Sequence, residues 1–303
     1  MKSWIAQLTL GLAVALSGLA NAAEDPSQAA APQATPAAQV GMVDAPCPPR
    51  PDPAANRDMV LPFITPGHPF ADYLKSLSRE KLMGLMQLQK DLEAEKVRDW
   101  PGACHYKAAN AALQGHAPKV VFMGDSITEF WGVADPAMFG PDIVDRGISG
   151  QTSEQMLSRF MQDVVDLKPR VVHILAGTND IAGNTGPNSP DDYKNTIRAM
   201  VTLAHANHIA VVLGSIPPCN KFPLQPKLVP APRVAELNAW LRGLAAEVHA
   251  EFVDYHTALA GPDGELPAKW SNDGVHPNTD AFAIMRPLAE AAIARALHSH
   301  DHK

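Results

Sequence analysis

"VVFMGDSITEFWG", Val120 to Gly132, runs four apolar residues into Gly-Asp-Ser. A strand with no polar face belongs inside a parallel sheet covered by helices on both sides. The Gly-Asp-Ser that ends it reads in two ways. Gly, Asp and Ser are turn and cap residues, so Asp125 or Ser126 could simply start the next helix. Alternatively, the serine hydroxyl is presented at the rim of the sheet to do chemistry.

The same rhythm continues downstream. "KVVFMG" (119–124), "DIVDRGI" (142–148), "RVVHILAG" (170–177), "IAVVLGSI" (209–216) and "EFVDYH" (251–256) read as strands. Helices are expected between and after them, near 152–166, 190–207, 232–249 and 278–297. Ser189, followed by Pro190-Asp191-Asp192, has the form of an N-cap with an acidic first turn. Strands and helices in alternation give an α/β fold with a five-stranded parallel sheet between two helical layers. In such folds the working residues sit in the loops after the carboxyl ends of the strands.

Upstream the chain differs. "MKSWIAQLTLGLAVALSGLANA" has a basic start, a short apolar run and the small-x-small Ala20-Asn21-Ala22. Residues 1–22 read as a secretory signal peptide with cleavage near Ala22, which places the mature chain in the periplasm or outside the cell. Residues 23–60, rich in Ala and Pro, read as a linker. Residues 61–116 form a helical extension, with Leu74, Leu77, Leu82, Leu85 and Leu88 near helical spacing. The main domain is expected over 117–298, followed by a His-rich tail at 299–303 carrying His300 and His302. Export permits disulfides, and a bridge between Cys47 and Cys104 would pin the extension to the body.

The 303 residues carry 25 Lys+Arg against 32 Asp+Glu, a net charge of −7. An acidic chain without basic clusters argues against nucleic acid as a partner. No later segment is apolar for long enough to span a membrane. No Cys/His spacing suggests zinc, and neither a metal nor another cofactor is expected.

The strand-end loops carry a coherent set of groups: Gly124-Asp125-Ser126, Gly147 to Thr152, Gly177-Thr178-Asn179-Asp180, and "WSNDGVHPN" with Asp273 and His276. A serine hydroxyl needs a base, and a histidine suits neutral pH. The histidine needs its tautomer fixed, which a carboxylate on Nδ1 achieves. The backbone N–H groups of Ser126 and Gly150 and the amide of Asn179 could form an oxyanion hole. Each motif alone has a plainer reading as a turn or cap. His173, inside a strand, reads as a bonded core residue. Trp131 and Trp270 could line a pocket or pack in the core, Glu129 could support the site or be exposed, and the Pro-rich Pro217–Arg233 could wall it.

At these residues the sequence resembles the SGNH hydrolases, or GDSL esterase/lipase family. Its four blocks correspond to Ser126 in "GDSI", Gly150 in "GISGQT", Asn179 in "GTND" and His276 in "DGVHPN", with Asp273 three before the histidine and Ile127 in place of the usual leucine. "GISGQTS" and "LAGTNDIAGN" are most similar to the branch of the platelet-activating-factor acetylhydrolase catalytic subunits and bacterial acyl hydrolases. The resemblance covers about Lys119 to Leu297. It implies a flavodoxin-like three-layer α/β/α sandwich and metal-independent ester hydrolysis by Ser126, His276 and Asp273, with Asp273 ranked below the other two because a main-chain carbonyl can help orient the histidine. It leans the substrate towards short acyl groups, acetyl foremost, on a small-molecule or glycan ester. Two other readings stay open: a lysophospholipase or thioesterase of the same family, and a non-catalytic glycan- or envelope-binding protein on the same scaffold.

Overall fold

The computed structural model describes residues 42–44, 46–47, 53–67, 70–113, 115–220, 222, 225 and 227–301. The expected signal peptide, most of the linker and His302 lie outside them.

Five strands, β1 (Val120–Gly124), β2 (Ile143–Gly147), β3 (Val171–Leu175), β4 (Ala210–Gly214) and β5 (Glu251–Val253), form one sheet in the order β2-β1-β3-β4-β5. All pairings are parallel, and Gly124 is level with Gly147 on one side and Leu175 on the other. The order reverses between β1 and β3, which is the flavodoxin-like switch point where such sheets bind ligands.

Alternation along each strand divides the core in two. Val121, Met123, Val172, Ile174, Val211 and Leu213 face helices α6 (Ser153–Asp163), α8 (Pro190–Ala206) and α9 (Ala231–Glu247), which contribute Phe160, Ile197 and Leu241. Val120, Phe122, Val171, Leu175 and Val212 face α5 (Ser126–Ala134) and α11 (Thr279–Asp301), which contribute Phe130, Trp131, Phe282 and Met285. Both layers are apolar, so a strand such as VVFMG carries no polar face. Two short helices, α7 (Thr178–Ala182) and α10 (Tyr255–Leu259), follow β3 and β5. Reciprocal capping by Ser189 and Asp192, with Pro190 in the first turn, starts α8.

The first part of the chain adds α1 (Pro53–Ile64), α2 (Phe70–Ser76), α3 (Arg79–Arg98) and α4 (Lys107–Ala112). The linker expectation thus ends too late: residues 53–60 are helical, because "MVLPFI" supplies an apolar face that the Ala/Pro composition before it hides. Val60, Phe63 and Ile64 join the α5–α11 side of the core. Leu82, Leu85 and Leu88 pack with Leu77 around Met59. Residues 100–110 are stitched to α6 by polar bonds: Gln155 to the Trp100 carbonyl (2.6 Å), Gln162 to the Ala103 carbonyl (2.6 Å) and Asn110 to Asp163 (2.7 Å). A disulfide joins Cys47 to Cys104. No described helix is long and apolar enough to cross a membrane. The tail expected at 299–303 begins as helix, since α11 runs to Asp301 and the His300 ring bonds the His208 carbonyl at 2.9 Å.

Candidate active site

Asp125 caps α5, its carboxylate accepting from the Ile127 amide at 2.9 Å. Ser126, the first residue of the helix, is left at the carboxyl end of β1 with its Oγ 2.9 Å from His276 Nε2. His276 arrives from the loop between α10 and α11, 150 residues later in the chain. Its Nδ1 lies 2.7 Å from Asp273 Oδ2.

The Asp273 carboxylate has its own fixings. Oδ1 accepts from the amides of Val275 (2.9 Å) and His276 (2.8 Å) and from Ser271 Oγ (3.0 Å). Burial alone would raise the pKa of this carboxyl, but attraction to the His276 ring, the hydrogen bond from its N–H and the two amides outweigh burial and hold the pKa below the usual range. An ionised carboxylate only accepts, so Nδ1 carries the proton and Nε2 presents its lone pair to the serine hydroxyl.

The second block sits after β2. Gly147 has no room for a side chain, because a Cβ there would strike the Glu129 amide and the Asp125 carbonyl. The ends of β1 and β2 therefore close tightly under α5. Glu129 accepts from the Ser149 amide at 2.8 Å and holds the loop in which Gly150 takes φ +81°. Among the described residues, neither the Ser126 nor the Gly150 amide donates to another group.

Asn179, in the first turn of α7, reaches the same place. Its Nδ2 donates to Asp125 Oδ2 (3.1 Å) and to the Gln151 carbonyl (3.0 Å). Asn184 donates to Asn179 Oδ1 at 2.7 Å and to the Gly150 carbonyl at 3.2 Å. That contact fixes which way round the Asn179 amide sits and ties the second block to the third. Burial pushes the Asp125 carboxyl up to about 7, with Asp180 adding to the rise and the Ile127 amide and His276 opposing it.

The structure therefore brings Ser126, Gly150, Asn179, Asp273 and His276 to one rim of the sheet. Other candidates lie elsewhere. Trp131 does not line the site: it is fully buried, stacked on Phe282 and edge-on to Phe122 and Tyr255. Trp270 is partly buried with the Lys269 ammonium over its ring. His173 is a core residue, its Nε2 2.9 Å from the Tyr255 hydroxyl and its ring stacked on Phe122. The described start of the Pro217–Arg233 segment leans on the His276 loop, since the Asn220 amide donates to the Gly274 carbonyl at 2.9 Å. Cys219 is buried with Phe222 and Val275.

Three residues beside the site carry no obvious sequence signal. Asn184 lies five positions beyond Asn179 and Asn272 directly precedes Asp273, so proximity to a motif was their only mark. Phe63 comes from α1, and its ring lies 5.5 Å from the His276 ring.

Comparisons with known proteins identify the family. A family model described as the GDSL-like Lipase/Acylhydrolase family matches residues 122–284. The chain is similar to a candidate acylhydrolase from Bacteroides fragilis NCTC 9343, with 41% identity and a TM-score of 0.63 over 66% of this chain and 99% of that one. It is also similar to a GDSL-like lipase from Bacteroides thetaiotaomicron VPI-5482, with 39% identity and a TM-score of 0.61 over 65% of this chain and 98% of that one. A stretch of 41 residues, 14% of this chain, is 51% identical to the uncharacterized lipoprotein YqeF of Bacillus subtilis (strain 168) and spans 17% of that protein's length. Together the matched residues, the parallel sheet and the structures aligned over nearly their whole length establish that this chain belongs to the GDSL-like lipase/acylhydrolase family.

Proposed function

We propose that the chain is an exported serine esterase that hydrolyses short acyl esters, acetyl foremost. One observation carries the reading: a serine hydroxyl 2.9 Å from an imidazole whose other nitrogen is 2.7 Å from a carboxylate. In this reading His276 Nε2 takes the Ser126 proton as Oγ attacks the ester carbonyl. The charge that develops on the carbonyl oxygen meets the Ser126 and Gly150 amides. Asn179 joins them by turning one amide hydrogen from Asp125 or Gln151 towards the oxyanion. His276 then protonates the departing alcohol, and a water molecule activated by the same imidazole frees the acid from the acyl-enzyme. Asp273 stabilises the imidazolium in both steps.

The short-acyl preference is supported by the resemblance of the "GISGQTS" and "LAGTNDIAGN" blocks to acetylhydrolase sequences. Crowding of the imidazole by Phe63 and Phe130, at 5.5 Å and 5.1 Å between ring centres, agrees with it. Export is supported by the Cys47–Cys104 disulfide.

The test pairs p-nitrophenyl acetate with a long-chain p-nitrophenyl ester, using Ser126→Ala as the blank. Turnover of the acetate, covalent labelling by a fluorophosphonate and loss of both in Ser126→Ala are expected. A strong long-chain preference would point instead to a lipase-type substrate. Full turnover by Ser126→Ala would overturn the mechanism.

A further inference from the structure

The matched family residues begin at 122, and the relative from Bacteroides fragilis, aligned over 99% of its own length, covers only 66% of this chain. About a third of the chain thus has no counterpart in that structure. Helix α1 precedes the matched residues, yet its end reaches the imidazole.

We propose that α1 is a working part of the active site and that Phe63 is a positioning residue for His276. The inference rests on the assignment of Ser126 and His276 made above. Phe63 is buried, and its ring meets the His276 ring edge-on, at 5.5 Å and 69°. Phe130, from the helix that begins with Ser126, lies at 5.1 Å from the same imidazole, and Phe63 and Phe130 touch each other at 6.0 Å. The imidazole is therefore wedged between an aromatic ring of the family domain and one of the extension. The bonds to Asp273 and Ser126 hold the two ring nitrogens, and packing against the faces and edges of the ring fixes its tilt. Phe63 and Phe130 supply the packing that keeps Nε2 aimed at Ser126 Oγ.

A second contact couples α1 to the same loop. Asn272, next to Asp273, donates to the carbonyls of Phe63 (2.8 Å) and Thr65 (2.7 Å). A helix leaves its last carbonyls without intrahelical donors, so the catalytic loop acts as the C-terminal cap of α1. The coupling runs both ways: α1 is ended by the loop, and the loop is held in register by α1. Displacements of about 1 Å in a reacting group can cost about 100-fold in rate, so a contact that never touches substrate can still govern turnover.

The experiment measures kcat and KM for p-nitrophenyl acetate, and the rate of labelling by a small fluorophosphonate, in Phe63→Ala, Phe63→Leu, Asn272→Ala and Ser126→Ala. The labelling rate reports activation of Ser126 with little demand on substrate binding. Phe63→Ala is expected to lower kcat and the labelling rate together by about 10- to 100-fold, with KM nearly unchanged. Phe63→Leu should restore most of both, and Asn272→Ala should lower both in the same sense. Folded Phe63→Ala and Asn272→Ala proteins with wild-type kcat and labelling rates would overturn the inference. So would a rise in KM alone, which would make Phe63 a wall of the substrate pocket instead. Should Phe63→Ala fail to fold, Asn272→Ala decides by the same two rates. Turnover retained in Ser126→Ala would remove the underlying site assignment, whereas an inert Ser126→Ala beside unaffected Phe63 and Asn272 variants removes only the role of α1.

Discussion

Asp125 sits where burial and hydrogen bonding pull in opposite directions. Its carboxyl is pushed up to about 7 from an ordinary 3.8, and burial likewise raises the Asp180 carboxyl to about 6. Both folded-state values lie above the unfolded ones, so the folded protein holds these protons longer, and stability falls as pH rises from about 4 to about 7. Asp125→Asn should therefore gain melting temperature relative to wild type as pH climbs through that window, and thermal melts across it would check this. His173 works on the acid side. Burial lowers it to about 3 from an ordinary 6.5, so its share of stability is lost as pH falls through that range. Asp273→Asn, which leaves the histidine in the wrong tautomer, should lower kcat by about 1000-fold or more, checked on the acetate ester with the melting temperature as control. In the proposed mechanism outright removal of the Asn179 donor would cost about 100-fold or more; Asn184→Ala only releases the hold on that amide and should cost about 10-fold in kcat. At this scale the groups brought to one rim were legible because each is a chemically distinctive side chain, or a glycine, at a strand end. Asn184, Asn272 and Phe63 were not, since each is defined by a partner that only the folded chain brings near.

Among the elements, α6 does more than cover the sheet. Arg159 is fully buried on its inner face and donates to Asp163 (3.0 Å), Gln151 (2.7 Å) and the carbonyls of Gly124 (3.1 Å) and Arg146 (2.8 Å). It thereby gathers the carboxyl ends of β1 and β2 and the loop after Gly150. Arg159→Met strands the Asp163 charge and should destabilise the protein by about 3–5 kcal/mol, measured by urea unfolding. Replacing Asp163 as well, by Leu, should recover part of that loss. The strands were legible as apolar runs bounded by glycines, but they proved shorter than read: β5 stops at Val253 because Asp254 caps α10, accepting from Thr257 at 2.9 Å. Trp131 illustrates the limit of reading an aromatic residue beside a proposed nucleophile. The helical turn that places Ser126 at the rim carries residue 131 inward to Phe122 and Phe282.

Across the whole molecule, the disulfide closes a span of 57 residues that contains α1, α2 and α3. Reduction is expected to lower stability by about 2–4 kcal/mol, read as a drop in melting temperature with dithiothreitol that a Cys47→Ser variant no longer shows. The layered architecture could be read from strand–helix alternation alone, whereas the docking of the extension on the core could not, because a helix preceded by Ala and Pro gives no local sign of what will cover it. The proposed nucleophile and its base stand 150 residues apart, and the base lies in the loop that leads into α11. In the proposed mechanism an unfolded chain is consequently inert towards esters until folding carries the end of β1 and that loop to the same rim of the sheet. Hydrolysis would therefore count folded molecules, and a preparation clipped ahead of that loop would go dark in an ester assay while still showing the Gly-Asp-Ser motif intact.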